Sequence, residues 1–214
     1  MTTVIVKERC ANVPSDARRK MIESAEVLLA IRGLQGTAFA EVLERSGAPR
    51  GSIYHHFPEG KDQLVDAAIE LAGERPLRVL DAVEGAPPTE VTRYFLELWR
   101  QVLQRSNLRA GCAVLAVTVA TDSPDLLDHA SSVFRAWRGR IAELYVTGGV
   151  EAPVAARFAT TLVAASEGAV VLSRAERSLE PFETVATQLV EMTPRPSVTR
   201  TAGNRKRDQA HVEG

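Results

Sequence analysis

The run Gly47-Ala48-Pro49-Arg50-Gly51-Ser52-Ile53-Tyr54-His55-His56-Phe57 decides how this chain is read. It has the form of the turn and second helix of a helix-turn-helix. Gly47 suits the tight turn, because glycine alone enters left-handed backbone space without penalty. Pro49 and Gly51 bracket a helix start, and the short helix that follows carries Ser52, Tyr54, His55 and His56. Ile53 and Phe57 lie four residues apart, so they share one face. A helix with a bulky apolar underside and hydrogen-bonding groups above can seat in a domain and still offer its top to DNA.

Outward from this run the pattern is helical, with no alternating strand pattern and no internal repeat. Residues 1–14 lack periodicity and read as a mobile arm. Ser15 is placed to cap a first helix, with Asp16 favourable in its first turn. Ile22, Ala25 and Leu29 recur at helical spacing up to Gly33. Thr37 precedes a second helix with Val42 and Leu43 inward, and Arg50 to Phe57 form the third. Pro58 stops it, because proline lacks the donor that would extend it. Gly60-Lys61-Asp62 opens a fourth helix with Leu64, Ala68 and Leu71 on one face. Gly73 and Pro76 predict a break or kink in it before Val83.

Further along, Gly85 to Thr89 reads as a turn, with Thr89 as the cap of a helix reaching Arg105. A second turn, Asn107 to Gly111, precedes a short apolar helix through Val119. Ser123-Pro124 starts a helix to Val146, Ala152 to Glu176 forms a long one, and Pro181 opens the last, ending near Glu191. The tail from Pro194 is expected to be disordered, with Arg200, Arg205, Lys206 and Arg207 read as solvated charges.

Composition narrows the function classes. A chain of 214 residues, 45% of them apolar, can bury a real core. Aromatics are only 5% while Ala, Leu and Val are abundant, which favours packed helices over sheets. Cys10 and Cys112 lack metal or disulfide spacing. No secretory signal and no apolar run long enough to span a bilayer stand out, so the expected location is cytoplasmic, without a membrane partner. The net charge of -1 argues against a broadly basic, nonspecific nucleic-acid binder. It leaves a specific one open, since local charge decides phosphate contacts. Arg18, Arg19 and Lys20 cluster near the first helix, and Arg50 and Lys61 flank the recognition segment. There is no Gly-rich phosphate loop after a strand, no GxSxG and no telling pair of acids, so the chain does not read as an enzyme.

The segment from about Asp16 to Leu71 resembles the DNA-binding part of the TetR family of transcriptional regulators. The matching positions are Ser46 and Gly47, then Arg50, Gly51, Ser52, Ile53 and Tyr54, then His56, Phe57 and Lys61. Phe57-Pro58-Glu59-Gly60-Lys61 carries one residue more than the usual Phe-x-x-Lys. That longer form is similar to the LmrA/YxaF-like branch, which contains repressors of drug-efflux and small-aromatic-compound genes. The resemblance implies an all-α fold: a three-helix DNA-binding domain over residues 15–60 and a helical ligand-binding and dimerisation domain over 61–193. The arm at 1–14 and the tail at 194–214 flank them. It also implies a homodimer on a palindromic operator, released by a small apolar or aromatic effector. An activator or architectural helix-turn-helix protein without a ligand is the alternative.

The candidate DNA contacts are Arg50, Gly51, Ser52, Tyr54, His55, His56 and Lys61. Arg50 can meet phosphate or fork onto guanine. Ser52 stands at a helix start, where anions bind. Tyr54 can pack its ring and reach the DNA backbone with its hydroxyl; a phosphate contact there is what the resemblance implies. His55 is expected outward. His56 often supports the loop and helix ends in the family. Lys61 is expected to meet phosphate as a point charge. Most such contacts position the protein and few read bases. His55 and His56 point about 100° apart, unlike the i, i+4 pair of a zinc site, so no metal or other cofactor is expected.

The family places its ligand pocket among the middle helices. The candidates there are Phe95, Trp99, Cys112, Phe134, Trp137 and Ile141, with Leu98, Val102, Leu115 and Phe158 beside them. The indoles of Trp99 and Trp137 offer a flat apolar face and one donor each. Glu167 lies inside an apolar stretch and could orient a ligand or pair across a dimer. The last two helices are where the family dimerises, and small residues there permit close approach. Ala155, Ala159, Leu162, Leu172, Phe182 and Leu189 are the expected interface. An ordinary protomer core would show the same periodicity.

Overall fold

The computed structural model describes residues 16–197. Among them are nine α-helices and no strand. The helices are α1 (Asp16–Arg32), α2 (Phe39–Ser46), α3 (Ser52–His56), α4 (Lys61–Asp81), α5 (Pro88–Arg105), α6 (Ala113–Thr118), α7 (Pro124–Thr147), α8 (Ala152–Glu176) and α9 (Glu180–Glu191). The arm, Cys10, the Ser15 cap and the basic residues Arg200, Arg205, Lys206 and Arg207 lie outside the described residues.

The helical spacing of α1 buries Met21, Ala25 and Leu29 completely, against Val42 of α2, Ile53 of α3 and Phe57. α4 carries this core out of the head. Leu64, Val65, Ala68 and Ile69 are fully buried along it, and they join one continuous apolar cluster that reaches α9. α7 packs on α4 and α8, and α9 packs on α8 and α5.

The expected break in α4 is absent: the helix runs unbroken through Gly73 and Pro76. Tertiary packing explains this. Trp137 on α7 donates its indole N–H to the Gly73 carbonyl at 2.8 Å. A Cβ at residue 73 would lie 2.9 Å from the Val133 side chain, so glycine there sets how closely α4 and α7 approach. Both α4 positions face the core, where packing overrides helix propensity.

Smaller corrections have local causes. α3 is shorter than expected, because Ser52 begins it and Phe57 already leaves helical geometry. Pro87, with extended backbone, precedes α5, so Thr89 is not its cap. Residues 194–197 do not leave the fold at once. Ser197 donates its N–H to the Gly149 carbonyl at 2.8 Å, and its hydroxyl to Glu151 at 3.4 Å. Their anchor is Thr193, whose hydroxyl lies 2.9 Å from that of Thr92. Contrary to expectation, α8 is long and apolar enough to cross a bilayer by length and composition, and half of that stretch is buried inside the protein. It also holds the buried polar residues Ser166, Glu167 and Ser173, as a helix packed among its own neighbours can.

Candidate DNA-binding face and effector cleft

The recognition segment is held from below and open above. The Phe57 ring lies under the Arg18 guanidinium, 5.2 Å from its centroid. Gly47 ends α2 at φ 69°, and its N–H donates to the Leu43 carbonyl. On the upper side Tyr54 keeps 67% of its surface exposed, and its ring stands edge-on to Phe39 with centroids 5.7 Å apart. Arg50 and His55 are exposed and His56 is half-buried. A Cβ at Gly51 would meet nothing within 4 Å. Glycine there is not filling a crowded spot in the protein.

Two of the DNA candidates are engaged inside the protein. Ser52 Oγ donates to the Pro49 carbonyl at 2.6 Å. Lys61 Nζ donates to the Leu34 carbonyl at 2.7 Å. Lys61 therefore staples the start of α4 to the α1–α2 turn instead of standing free as a point charge. The nearby charges of Arg19 and Lys20 are set against Asp16, and Arg19 also against Glu23.

The ligand candidates separate into three groups. Trp99, Cys112 and Trp137 line one cleft of about 570 Å³, with Leu98 and Val102 beside them. Its opposite wall is α1, through Glu26, Val27, Ala30 and Ile31. Phe134 instead lines an open groove of about 730 Å³ between α7 and α8, with Leu115 and Glu167. Edge-on rings connect the two: Trp137 lies 6.2 Å from Trp99 and 5.4 Å from Phe134. Phe95 and Ile141 are completely buried and line neither cavity. In the protomer they stand as core residues. Phe158 packs on Tyr145, 5.8 Å between centroids.

Two polar groups around these cavities lack ordinary partners among the described residues. Trp99 Nε1 is buried without an acceptor, and the Glu167 carboxyl is buried with no nitrogen or oxygen donor, only the Cys112 thiol beside it. Burial pushes the Glu167 carboxyl up to about 7, and the Cys112 thiol beside it only partly offsets this. Burial also raises the Cys112 thiol, and the Glu167 charge raises it further. A thiol held protonated is a poor nucleophile; its sulfur instead accepts the Leu115 N–H at the start of α6, 3.4 Å away. Glu26 is raised by burial too, with Arg75 opposing. Such groups are costly unless something satisfies them.

The cleft is joined to the DNA-binding head by hydrogen bonds. The last carbonyls of a helix have no partner within it. Those of Ala30 and Ile31 are taken by the other half of the molecule: Gly111 N–H donates to Ala30 at 2.8 Å, and Arg174 donates to Ile31 at 3.3 Å. Glu26, Gly111 and Arg174 were not among the sequence candidates, and no motif marks Glu26 or Arg174.

Most of the expected dimer contacts lie inside the protomer. Ala155, Ala159, Leu162, Phe182 and Leu189 are buried within the protomer. Phe182 even receives the Arg100 guanidinium on its ring, 5.7 Å from the centroid. Small residues at helical spacing serve equally to pack α8 on its own neighbours. Of the six, Leu172 alone is exposed, at 50%. It belongs to the opposite face of α8, with Thr160, Ala164, Gly168 and Val171.

The likeness to known proteins covers both halves. Residues 21–68 match the model of the bacterial regulatory proteins of the tetR family. Residues 88–188 match the LmrA/YxaF-like transcriptional regulator C-terminal domain. An uncharacterized HTH-type transcriptional regulator of Mycobacterium tuberculosis is 36% identical over 179 residues, 80% of this chain and 91% of that protein. The HTH-type transcriptional regulator LmrA of Bacillus subtilis is 27% identical, over 84% of this chain and 98% of its own. A solved TetR transcriptional regulator from Chloroflexus aurantiacus is 31% identical with a TM-score of 0.68, over 82% and 93% of the two chains. These relatives are transcriptional regulators and not enzymes. The chain belongs to the TetR family of DNA-binding transcriptional regulators, with a C-terminal domain of the LmrA/YxaF-like type.

Proposed function

We propose that the chain is a ligand-responsive repressor that binds a palindromic operator as a homodimer and leaves it when a small aromatic effector enters the cleft at Trp99 and Trp137. The observation that carries this reading is the wall shared by the two halves. α1 of the head closes the cleft that holds Trp99, Cys112 and Trp137, so a molecule there touches both halves at once. The buried Trp99 N–H, without an acceptor, favours an effector that offers one. Coupling requires the effector to bind one head position better than the other, and about 1–3 kcal/mol is typical.

Arg50, Tyr54 and His55 form the outward DNA contacts in this reading, with Ser52, Gly51 and His56 shaping the helix start and end. Lys61 holds α4 in register below them. The homodimer uses the exposed α8 face of Thr160, Ala164, Gly168, Val171 and Leu172, which brings two heads to successive grooves. Acting on chromosomal DNA, the protein works in the cytoplasm.

Fluorescence-anisotropy titration against the DNA flanking its own gene, with scrambled DNA and two salt concentrations, tests the operator. A clear preference for the flanking DNA is expected, and release by an aromatic compound supports the effector. Equal weak binding to both DNAs would refute a local operator, and affinity unchanged across a broad ligand panel would count against the effector. For the dimer, Ala164→Arg should convert a dimer to a monomer in analytical ultracentrifugation at micromolar concentration. A wild-type monomer under those conditions defeats the assignment.

A further inference from the structure

Apart from the effector cleft, one groove of about 800 Å³ runs along the junction of head and ligand half, and its charge is one-sided. Arg32 from the end of α1, Arg109 from the α5–α6 turn, and Arg174 and Arg177 from the end of α8 line it, with Asn107 beside them and no acidic residue. Arg32 is paired with Glu41 of α2. Arg109, Arg174 and Arg177 have no carboxylate partner among the described residues, although Arg174 spends one N–H on the Ile31 carbonyl. Like charges gathered from three elements repel one another, and a bound polyanion relieves that repulsion. The guanidinium fork matches phosphate and carboxylate oxygens two at a time.

We propose that this groove binds a small polyanion, a metabolite carrying a phosphate or diphosphate group. Three guanidiniums without a carboxylate suit a ligand of two or three negative charges, and the groove has room for more than an isolated ion. It shares no residue with the shallow groove beside Arg50 and Tyr54, and none but Ile31 with the effector cleft. Its ligand is therefore chemically unlike the aromatic effector. One wall is Arg32 of the head and the other is α8, so the polyanion bridges the two halves and shifts operator affinity through that bridge. The same phosphate chemistry is present in the DNA backbone, and the experiment separates the two sources.

Isothermal titration of the full chain with pyrophosphate, at ionic strength held constant with potassium acetate, is the test. Saturable binding at one site per chain is expected, weakened at least tenfold in Arg109→Gln/Arg177→Gln. Both arginines are exposed, so the variant should fold, and Arg174→Gln provides a second variant if its melting curve shows otherwise. Absence of saturable binding overturns the proposal, as does unchanged affinity in a folded variant. Duplex DNA supplies the second arm. If the variant loses DNA affinity, with a salt slope reduced by about two, while pyrophosphate does not bind the wild type, the groove is a backbone contact and the proposal falls.

Discussion

In the head, Tyr54 shows two-thirds of its surface to solvent while Ile53 beside it is completely buried. In the ligand half, Trp99 and Trp137 are both candidate ligand contacts, and they are 5% and 1% exposed. DNA is large and comes to the surface, so a DNA-binding side chain stands apart from the core that supports it. A small effector must be enclosed, so in the proposed reading its contacts are drawn from the core. The head divides labour between neighbouring residues. The proposed effector cleft asks one side chain to be both structure and site.

The sharpest break of that comparison is Trp137→Ala. Truncating a buried tryptophan costs about 3–5 kcal/mol, and here it also removes the donor to the Gly73 carbonyl. Urea unfolding should show a loss of that size together with loss of any effector response. Trp137→Phe keeps most of the ring and loses the hydrogen bond, so its cost should be about 1–3 kcal/mol. A Trp137→Ala protein as stable as wild type would mean that the ring is a ligand contact and not a structural one.

This dual use explains what the sequence disclosed. In the head, turn chemistry and spacing specify the site: Gly47 takes the left-handed conformation, and the Ile53–Phe57 pair is buried. Helix positions in the other half were also legible from Pro and Gly punctuation, as with α8. Its site was not. Phe95 and Trp99 lie one turn apart on α5 with the same apolar character, yet only Trp99 faces the cleft. Ala159 and Ala164 are the same residue on the same helix, yet only Ala164 is exposed. The difference between them is which neighbour each side of the helix meets, and single-chain periodicity does not contain that. Arg174 and Gly111 were hidden for a related reason, since they act on carbonyls of α1 more than 60 residues away in sequence.

Glu167 provides the next test. Its carboxyl titrates near 7 in the folded protein because burial disfavours its charge. A raised carboxyl binds its proton more tightly when folded than when unfolded. Its contribution therefore favours folding at low pH and is lost as pH rises from the unfolded value near 4.5 through about 7. At ~1.4 kcal/mol per unit the penalty at pH 8 amounts to about 3 kcal/mol. Glu167→Gln should flatten this component, so the stability gap between variant and wild type widens from pH 5 to pH 8 in favour of the variant. A gap that is constant with pH would show that the carboxylate is solvated or paired.

For the head, Tyr54→Phe removes one exposed hydroxyl. Stability should change by less than about 0.5 kcal/mol, since the group is on the surface. Operator affinity should fall about tenfold, the size expected of a hydrogen bond to a charged phosphate. Equal affinity in the two proteins would remove Tyr54 from the DNA contacts and leave it as packing for Phe39.

Lys61 gives the smallest and most discriminating effect, because it stands where the two kinds of residue meet. The family pattern puts a lysine at this position, and its charge next to the recognition helix invites a phosphate. Its ammonium instead donates to Leu34 across the α1–α2 turn, as a structural residue of the ligand half would. Lys61→Met keeps the stem and removes the donor. A staple predicts a stability loss of about 1 kcal/mol, because one hydrogen bond disappears. It also predicts an unchanged slope of operator affinity against salt. A phosphate contact predicts the reverse: unaltered melting and a slope shallower by about one. The outcome expected from the geometry is the first, and it would set Lys61 beside the buried Ile53 and Phe57 as a motif residue that serves the fold more than the DNA.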